Sequence, residues 1–247
     1  RDIDGTTAGA GGGSTPTGTW GRGTTANWDT VADGTGASAL WSSSAGQATT
    51  FAAGATATGA YTVTVFGTQD IGGLTVEEGD VTLSGDGLRM TSDSVAGVVS
   101  GSTLSVSSVI SNDSARQLAK GGDGTLTLSG ANTYAGVTKL EAGTISVPSL
   151  ANATVDSPLG NYPTAGADGL NLIGGTLQYT GATASRDRGF TLLGHSTLEV
   201  NTAGETLTLG ESAALDAAGS LTVTGGAGSS LAPGHLYVSR STSTMNP

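Results

Sequence analysis

The sequence has no cysteine in its 247 residues. That excludes a disulfide scaffold and any thiolate-ligated metal site. Aromatic residues are 4% of the chain and charged residues 12%. The core therefore cannot rest on large rings and must bury small aliphatic side chains in many thin layers. Basic residues are scarce, with nine Lys and Arg against twenty Asp and Glu and a net charge of −11. So acidic a surface repels phosphate, and nucleic acid is not an expected partner. No basic patch exists for anionic lipid, and no apolar run approaches the roughly 20 residues of a membrane helix. No membrane insertion is expected of this chain. His195 and His235 are its two histidines, too few for a His-rich zinc site.

What the chain has in abundance is glycine, 42 residues without a Gly-X-Y period, which argues against collagen. Its Val, Leu and Ile are regularly placed rather than depleted, which argues against disorder. Short segments alternate apolar and hydroxylated residues with period 2: 61–66, 73–76, 80–84, 102–110, 124–129, 143–147, 169–180, 196–200, 205–210 and 220–225. Such alternation marks strands with one buried face. The residues expected inside are Val63, Val65, Leu83, Leu104, Val106, Leu126, Leu128, Ile145, Val147, Leu177, Tyr179, Leu198, Val200, Leu207, Leu209, Leu221 and Val223. Gly, Asn, Asp and Ser punctuate the strands; Gly85, Gly130, Gly143, Gly175, Gly210 and Gly225 suit corners needing positive φ. Residues 113–120 could form one helical turn, too short to organise anything.

Equivalent inward pairs recur at intervals of roughly 20 residues, the spacing of a solenoid with three short strands per coil. The expected fold is all-β: a right-handed parallel β-helix (β-solenoid) of about ten coils rising ~4.8 Å each. Residues 1–17 read as a Gly-rich arm, 18–234 as one solenoid domain and 235–247 as a tail. Within the domain, 18–51 form an irregular N-terminal cap. Residues 148–168, holding Pro148, Pro158 and Pro163, are expected to protrude as a loop. Trp20, Trp28 and Trp41 all lie in the cap. They either plug the end of the coil or offer indole faces for stacking on a glycan.

One segment carries more than a pattern. Residues 121–147, GGDGTLTLSGANTYAGVTKLEAGTISV, closely resemble the autotransporter-associated β-strand repeat, also called the passenger-associated transport repeat. Gly122, Gly124, Thr125, Leu126, Leu128, Gly130, Asn132, Thr133, Tyr134, Gly136, Thr138, Gly143 and Thr144 fit that repeat. Val137 stands where Gly is frequent and Ile145 where Leu is usual. Weaker likeness to the flanks of such repeats covers roughly 20–230, including the tryptophan pair 20–28 and the segments 72–85 and 174–192. The resemblance implies a right-handed parallel β-helix outside a bacterium, in a secreted passenger. The sequence starts at Arg1 without Met, as a processed chain or a fragment would. It ends STSTMNP without the barrel strands of classical autotransporters. The expectation is a barrel removed or omitted, or another export route.

Catalytic constellations are weak. Arg186-Asp187-Arg188 could clamp a polysaccharide, but is expected to be a solvated loop that pairs locally. Asp86, Asp93 and Asp113 sit in turns, where Asp accepts backbone hydrogen bonds. No serine lies in a nucleophile motif beside a usable His. GGDGTLTLS at 121–129 starts like a calcium β-roll repeat but has Leu126 at the Asp position. Outward Thr pairs at 62/64, 125/127, 206/208 and 222/224 suggest an ice-binding ladder, interrupted at Gln178 and Glu199. No enzyme activity, catalytic residue, metal site or cofactor is expected. The expected function is that of an extracellular bacterial surface protein, a solenoid that self-assembles into a filament or serves as an adhesin stalk. Its expected partner is itself, with Leu236, Tyr237 and Val238 as a strand donated between subunits. The alternatives are a glycan- or host-binding adhesin and a carbohydrate-active β-helix enzyme.

Overall fold

A computed structural model of the chain describes residues 15–21, 26, 28–29, 39–41, 46–51, 57–164, 169–209, 213–215 and 219–225. Twenty strands, β1 to β20 in chain order, stack in parallel. The first sheet holds nine: β1 (Gly18–Gly21), β3 (Ala60–Phe66), β5 (Asp80–Gly85), β7 (Thr103–Val106), β10 (Thr125–Leu128), β12 (Thr144–Val147), β14 (Thr176–Tyr179), β17 (Ser196–Val200) and β20 (Leu221–Gly225). The second runs through β2 (Ala48–Phe51), β4 (Gln69–Val76), β6 (Leu88–Val98), β9 (Leu118–Gly121), β11 (Thr138–Leu140), β13 (Leu170–Leu172), β16 (Phe190–Leu192) and β19 (Ala213–Leu215), with β8 (Ile110–Asn112) also on β6. A third face carries β15 (Ala184–Arg186) and β18 (Leu207–Leu209). This is a β-solenoid, with slightly fewer coils than the ten expected. No α-helix forms among the described residues. None of their helices is therefore long and apolar enough to cross a membrane, which says nothing of β-barrels.

Register explains why the alternation works. Val81, Leu104, Leu126, Ile145, Leu177 and Leu198 fall in one column across the first sheet, and Leu83, Val106 and Leu128 begin a second. Each side chain roofs the one below, so no coil buries its apolar face without its neighbours. Burial of each is worth roughly 1.5–3 kcal/mol. The inward set expected from the sequence is buried throughout, except at its last two members: Leu221 is partly buried and Val223 is 41% exposed. Outward, Thr103, Thr125, Thr144, Thr176, Thr197 and Thr222 form an unbroken column. Beside it run Ser105, Thr127, Ser146, Gln178, Glu199 and Thr224. The interruption falls where expected. Ser146 Oγ donates to Gln178 Oε1 at 2.9 Å, and Gln178 Nε2 donates to Glu199 Oε2 at 2.8 Å. Thr206 and Thr208 do not extend this ladder, because β18 lies on the third face against β15.

Three expectations are corrected. Residues 118–121 form strand β9 rather than part of a helical turn, since Leu118 and Lys120 point into the stack. Gly85, Gly143 and Gly175 take positive φ, but Gly130 does not; a Cβ there would lie 2.8 Å from the Ser108 carbonyl, so close approach is what demands glycine. The proline-bearing segment does not protrude as a whole: Leu150, Ala153, Ser157, Pro158, Leu159 and Gly160 are buried, while Asn152, Thr154, Val155 and Asp156 are exposed.

Candidate functional site

The repeat at 121–147 supplies the polar residues that receive the excursion. Asn132 is fully buried. Its Oδ1 accepts from Ile110 N and its Nδ2 donates to Pro158 O, both at 2.8 Å. Its backbone exchanges two bonds with Ser157, at 3.1 and 3.3 Å. One asparagine thus joins the coil before it to the coil after it. Tyr134 is buried as well. Its hydroxyl lies 2.7 Å from Thr138 Oγ1, which donates to Leu159 O at 3.3 Å. Either hydroxyl can be the donor of the Tyr134–Thr138 pair. Burial pushes the Tyr134 phenol up to about 12, against smaller lowering effects of Thr138 and Arg188. Asn161 N donates to Tyr134 O at 2.8 Å. Gly160 rests on the ring with φ +75°; a Cβ there would come within 2.6 Å of Tyr134 Cε2.

The coil that follows closes on the excursion from the other side. Arg188 is 2% exposed. Its Nε donates to Ala151 O (3.4 Å), its Nη1 to Leu159 O (3.3 Å) and its Nη2 to Gly160 O (2.8 Å). Arg186 Nε donates to Leu150 O at 2.5 Å. Asp187 Oδ1 accepts from Ala153 N at 2.7 Å, and Asp187 N donates to Asn152 Oδ1 at 3.3 Å. The triplet is a clasp on the protein's own excursion, not the solvated loop expected from the sequence. It binds almost wholly to backbone groups. Burial lowers the Arg188 guanidinium from its ordinary value, with the carbonyls carrying the compensation.

A second buried cation sits at the repeat's entrance. Lys120 has 0% exposure. Its Nζ donates to Gly121 O, Gly122 O and Ala142 O at 2.8, 2.6 and 3.3 Å. Desolvation brings it down to about 8, and nearby Asp123 opposes that shift. Two cations nearer the surface form ion pairs: Arg89 with Asp70 at 2.6 Å and Arg116 with Asp113 at 3.1 Å.

The tryptophans lie at the other end of the stack. Trp20 is 0% exposed, and Trp28 and Trp41 are each 7% exposed. Their ring centroids lie 4.7–5.2 Å apart, and Phe51 packs at 5.8 Å from Trp20 and Trp28. Tilted and edge-on contacts set the buried rings against one another. The candidate strand Leu236, Tyr237 and Val238, and His235, lie outside the described residues. His195 Nδ1 is 2.7 Å from Ser220 Oγ. Asp86 accepts from Gly67 N at 2.7 Å and Asp93 from Gln117 N at 3.1 Å, 19 and 24 residues away in sequence, so these carboxylates bond across neighbouring coils rather than within their own turns as expected. Among the described residues no three His, Asp or Glu come together as metal ligands.

Comparison with known proteins places the same stretch. Residues 118–147 match the passenger-associated-transport-repeat family. Over 143 residues the chain is 37% identical to the adhesin BmaC autotransporter of Brucella suis biovar 1 (strain 1330), covering 53% of this chain and 4% of that protein. The chain thus spans a small fraction of the relative's length. No solved structure matches.

Proposed function

From a chain that carries a passenger-associated transport repeat, we infer a non-catalytic β-solenoid module of a bacterial surface adhesin, acting outside the cell. The observation that carries this reading is the likeness to an adhesin autotransporter over half of the chain. The fold agrees with the role. A parallel stack transmits position along its length and holds side elements away from the surface that bears it. The chemistry agrees too: Arg188 is buried against the excursion's carbonyls and Arg186 Nε donates to Leu150 O, which turns both toward the protein's own backbone rather than a sugar substrate. Displaying the chain on a non-adherent bacterium tests the reading. Cells should bind epithelial monolayers better than non-displaying cells, and surface protease should remove both the protein and the gain. Adherence equal to the non-displaying strain sinks it.

A second reading is end-to-end self-assembly. It is favoured by β20, the last strand among the described residues, where inward-column Val223 is 41% exposed. Exposed strand ends template further strands, and contact between unlike ends gives open fibres. Sedimentation that stays monomeric at high concentration, with no fibres by electron microscopy, rules it out.

A further inference from the structure

We propose that the tip of the excursion, Asn152–Asp156, is the contact site for a protein partner, presented by a clasp that holds the residues around Thr154 and Val155 and leaves those two side chains outward. The proposal rests on the adhesin reading above and names its contacting element.

The first support is a division of labour. The bonds that fix the excursion end on its backbone or on residues behind the tip. Asp187 takes Ala153 N, Tyr162 O accepts from Thr154 N at 3.0 Å, and Asn161 Nδ2 donates to Asp156 Oδ1 at 2.8 Å. Arg186 and Arg188 hold carbonyls 150, 151, 159 and 160. The side chains of Thr154 and Val155 take no part in these bonds, and both residues are exposed. The side chains of Asn152 and Asp156 help to fix the loop, and its shape is independent of the Thr154 and Val155 side chains, which is what a preorganised contact needs.

The second support is strain. Thr154 has φ +65°, the one non-glycine among the described residues with positive φ. Ten glycines take that region elsewhere in the described residues. A β-branched residue there costs on the order of 1–2 kcal/mol. A chain with 42 glycines that nevertheless keeps threonine here gains something from the side chain other than stability. Beside it, Val155 leaves 50% of its surface in water at the crest of a turn closed by Val155 N to Asn152 O at 3.3 Å.

The chemistry of the tip points to the partner. Val155 is an apolar knob, Thr154 and Asn152 can exchange hydrogen bonds, and Asp156 and Asp187 are acidic. That set fits a protein surface with an apolar pocket beside a cation. A net charge of −11 disfavours polyanionic glycans. The tip residues include no aromatic ring on which a neutral sugar could stack.

The test uses the full chain displayed on a non-adherent bacterium at matched surface density, with epithelial monolayers as the probe. Val155→Asp should lower adherence about tenfold, the effect of losing one central contact. Thr154→Gly should lower adherence while holding or raising the melting temperature, because it relieves strain; this separates contact from folding. Protease treatment of the monolayer should abolish binding and glycosidase treatment should not. If the wild-type chain confers no adherence, the adhesin reading fails and this proposal with it. If it does, and both tip variants bind as well as wild type, the tip assignment is overturned and the adhesin reading stands. Binding that survives protease and is lost to glycosidase makes the partner a glycan and overturns the protein assignment.

Discussion

The coils at 60–106 and the coils at 118–192 are built from the same strands and held in different ways. In the first region, aliphatic columns fill the interior and the ionic contact is outside, between Asp70 and Arg89. In the second, the same columns continue, but Lys120, Asn132, Tyr134, Thr138 and Arg188 are buried as well. Lys120 serves the repeat's own carbonyls; for the other four the cause is the excursion at 148–168. A regular coil satisfies its backbone with the coils above and below. An excursion leaves carbonyls 150, 151, 159 and 160 and the amide of 153 without ladder partners, and burying such groups unpaired costs about 1–3 kcal/mol each. Side chains from both neighbouring coils fill those vacancies. The repeat coil is therefore fitted to one particular successor.

That contrast can be broken by substitution. Arg188→Met takes the guanidinium from the carbonyls of Ala151 and Gly160, while Leu159 O keeps Thr138, and should cost about 2 kcal/mol or more. The loss should appear first as protease cleavage within 150–160, while strands β3 to β7 remain protected from hydrogen exchange. Uniform unfolding instead would show that the two regions form one cooperative unit. Asn132→Ala removes two buried bonds and should cost about 2 kcal/mol, read from the urea midpoint.

Titration gives a smaller signal with a definite sign. Folded Lys120 releases its proton near 8 and an unfolded lysine near 10.5. Between those values the unfolded chain binds the extra proton, so stability should rise with pH, by at most about 1.4 kcal/mol per pH unit. Below about 8 both states are charged and the dependence from this group vanishes. Tyr134 acts in the opposite direction above pH 10, where the unfolded phenol ionises and the folded one, near 12, does not. The rise is therefore cleanest between about 8 and 10. Lys120→Met should flatten it, and a wild-type profile already flat across that window would contradict the burial of a charged Lys120. Smallest of all is Arg89→Met in the regular region. Its exposed pair with Asp70 should contribute under about 1 kcal/mol, and a larger loss would erase the difference between the two regions.

Much of the architecture was readable because it is local. Alternation at 80–84, 103–106, 125–128 and 144–147 names the inward face without knowledge of the neighbours. Asn132 and Tyr134 were legible as residues of the repeat, yet nothing in the chain said that they face Pro158 and Thr138. The tryptophans were legible as an end feature, with plug and stacking face both open. Their mutual contacts at 4.7–5.2 Å set the buried rings against one another. The Arg186–Arg188 clasp was read as solvated because two arginines around an aspartate usually are. Its partners lie 28–37 residues earlier in the chain, beyond any local signal.

By itself the sequence determined the period, the inward faces and the corners, because a two-residue alternation and a backbone that needs glycine act within a single strand or turn. It also determined that the core would be aliphatic and layered, since it offers few rings and little charge to bury. Only the tertiary structure decided where the long excursion goes and which buried cations hold it. Those depend on which coil stacks on which, and stacking is settled by register between residues that are distant in sequence and adjacent only after the coil has closed.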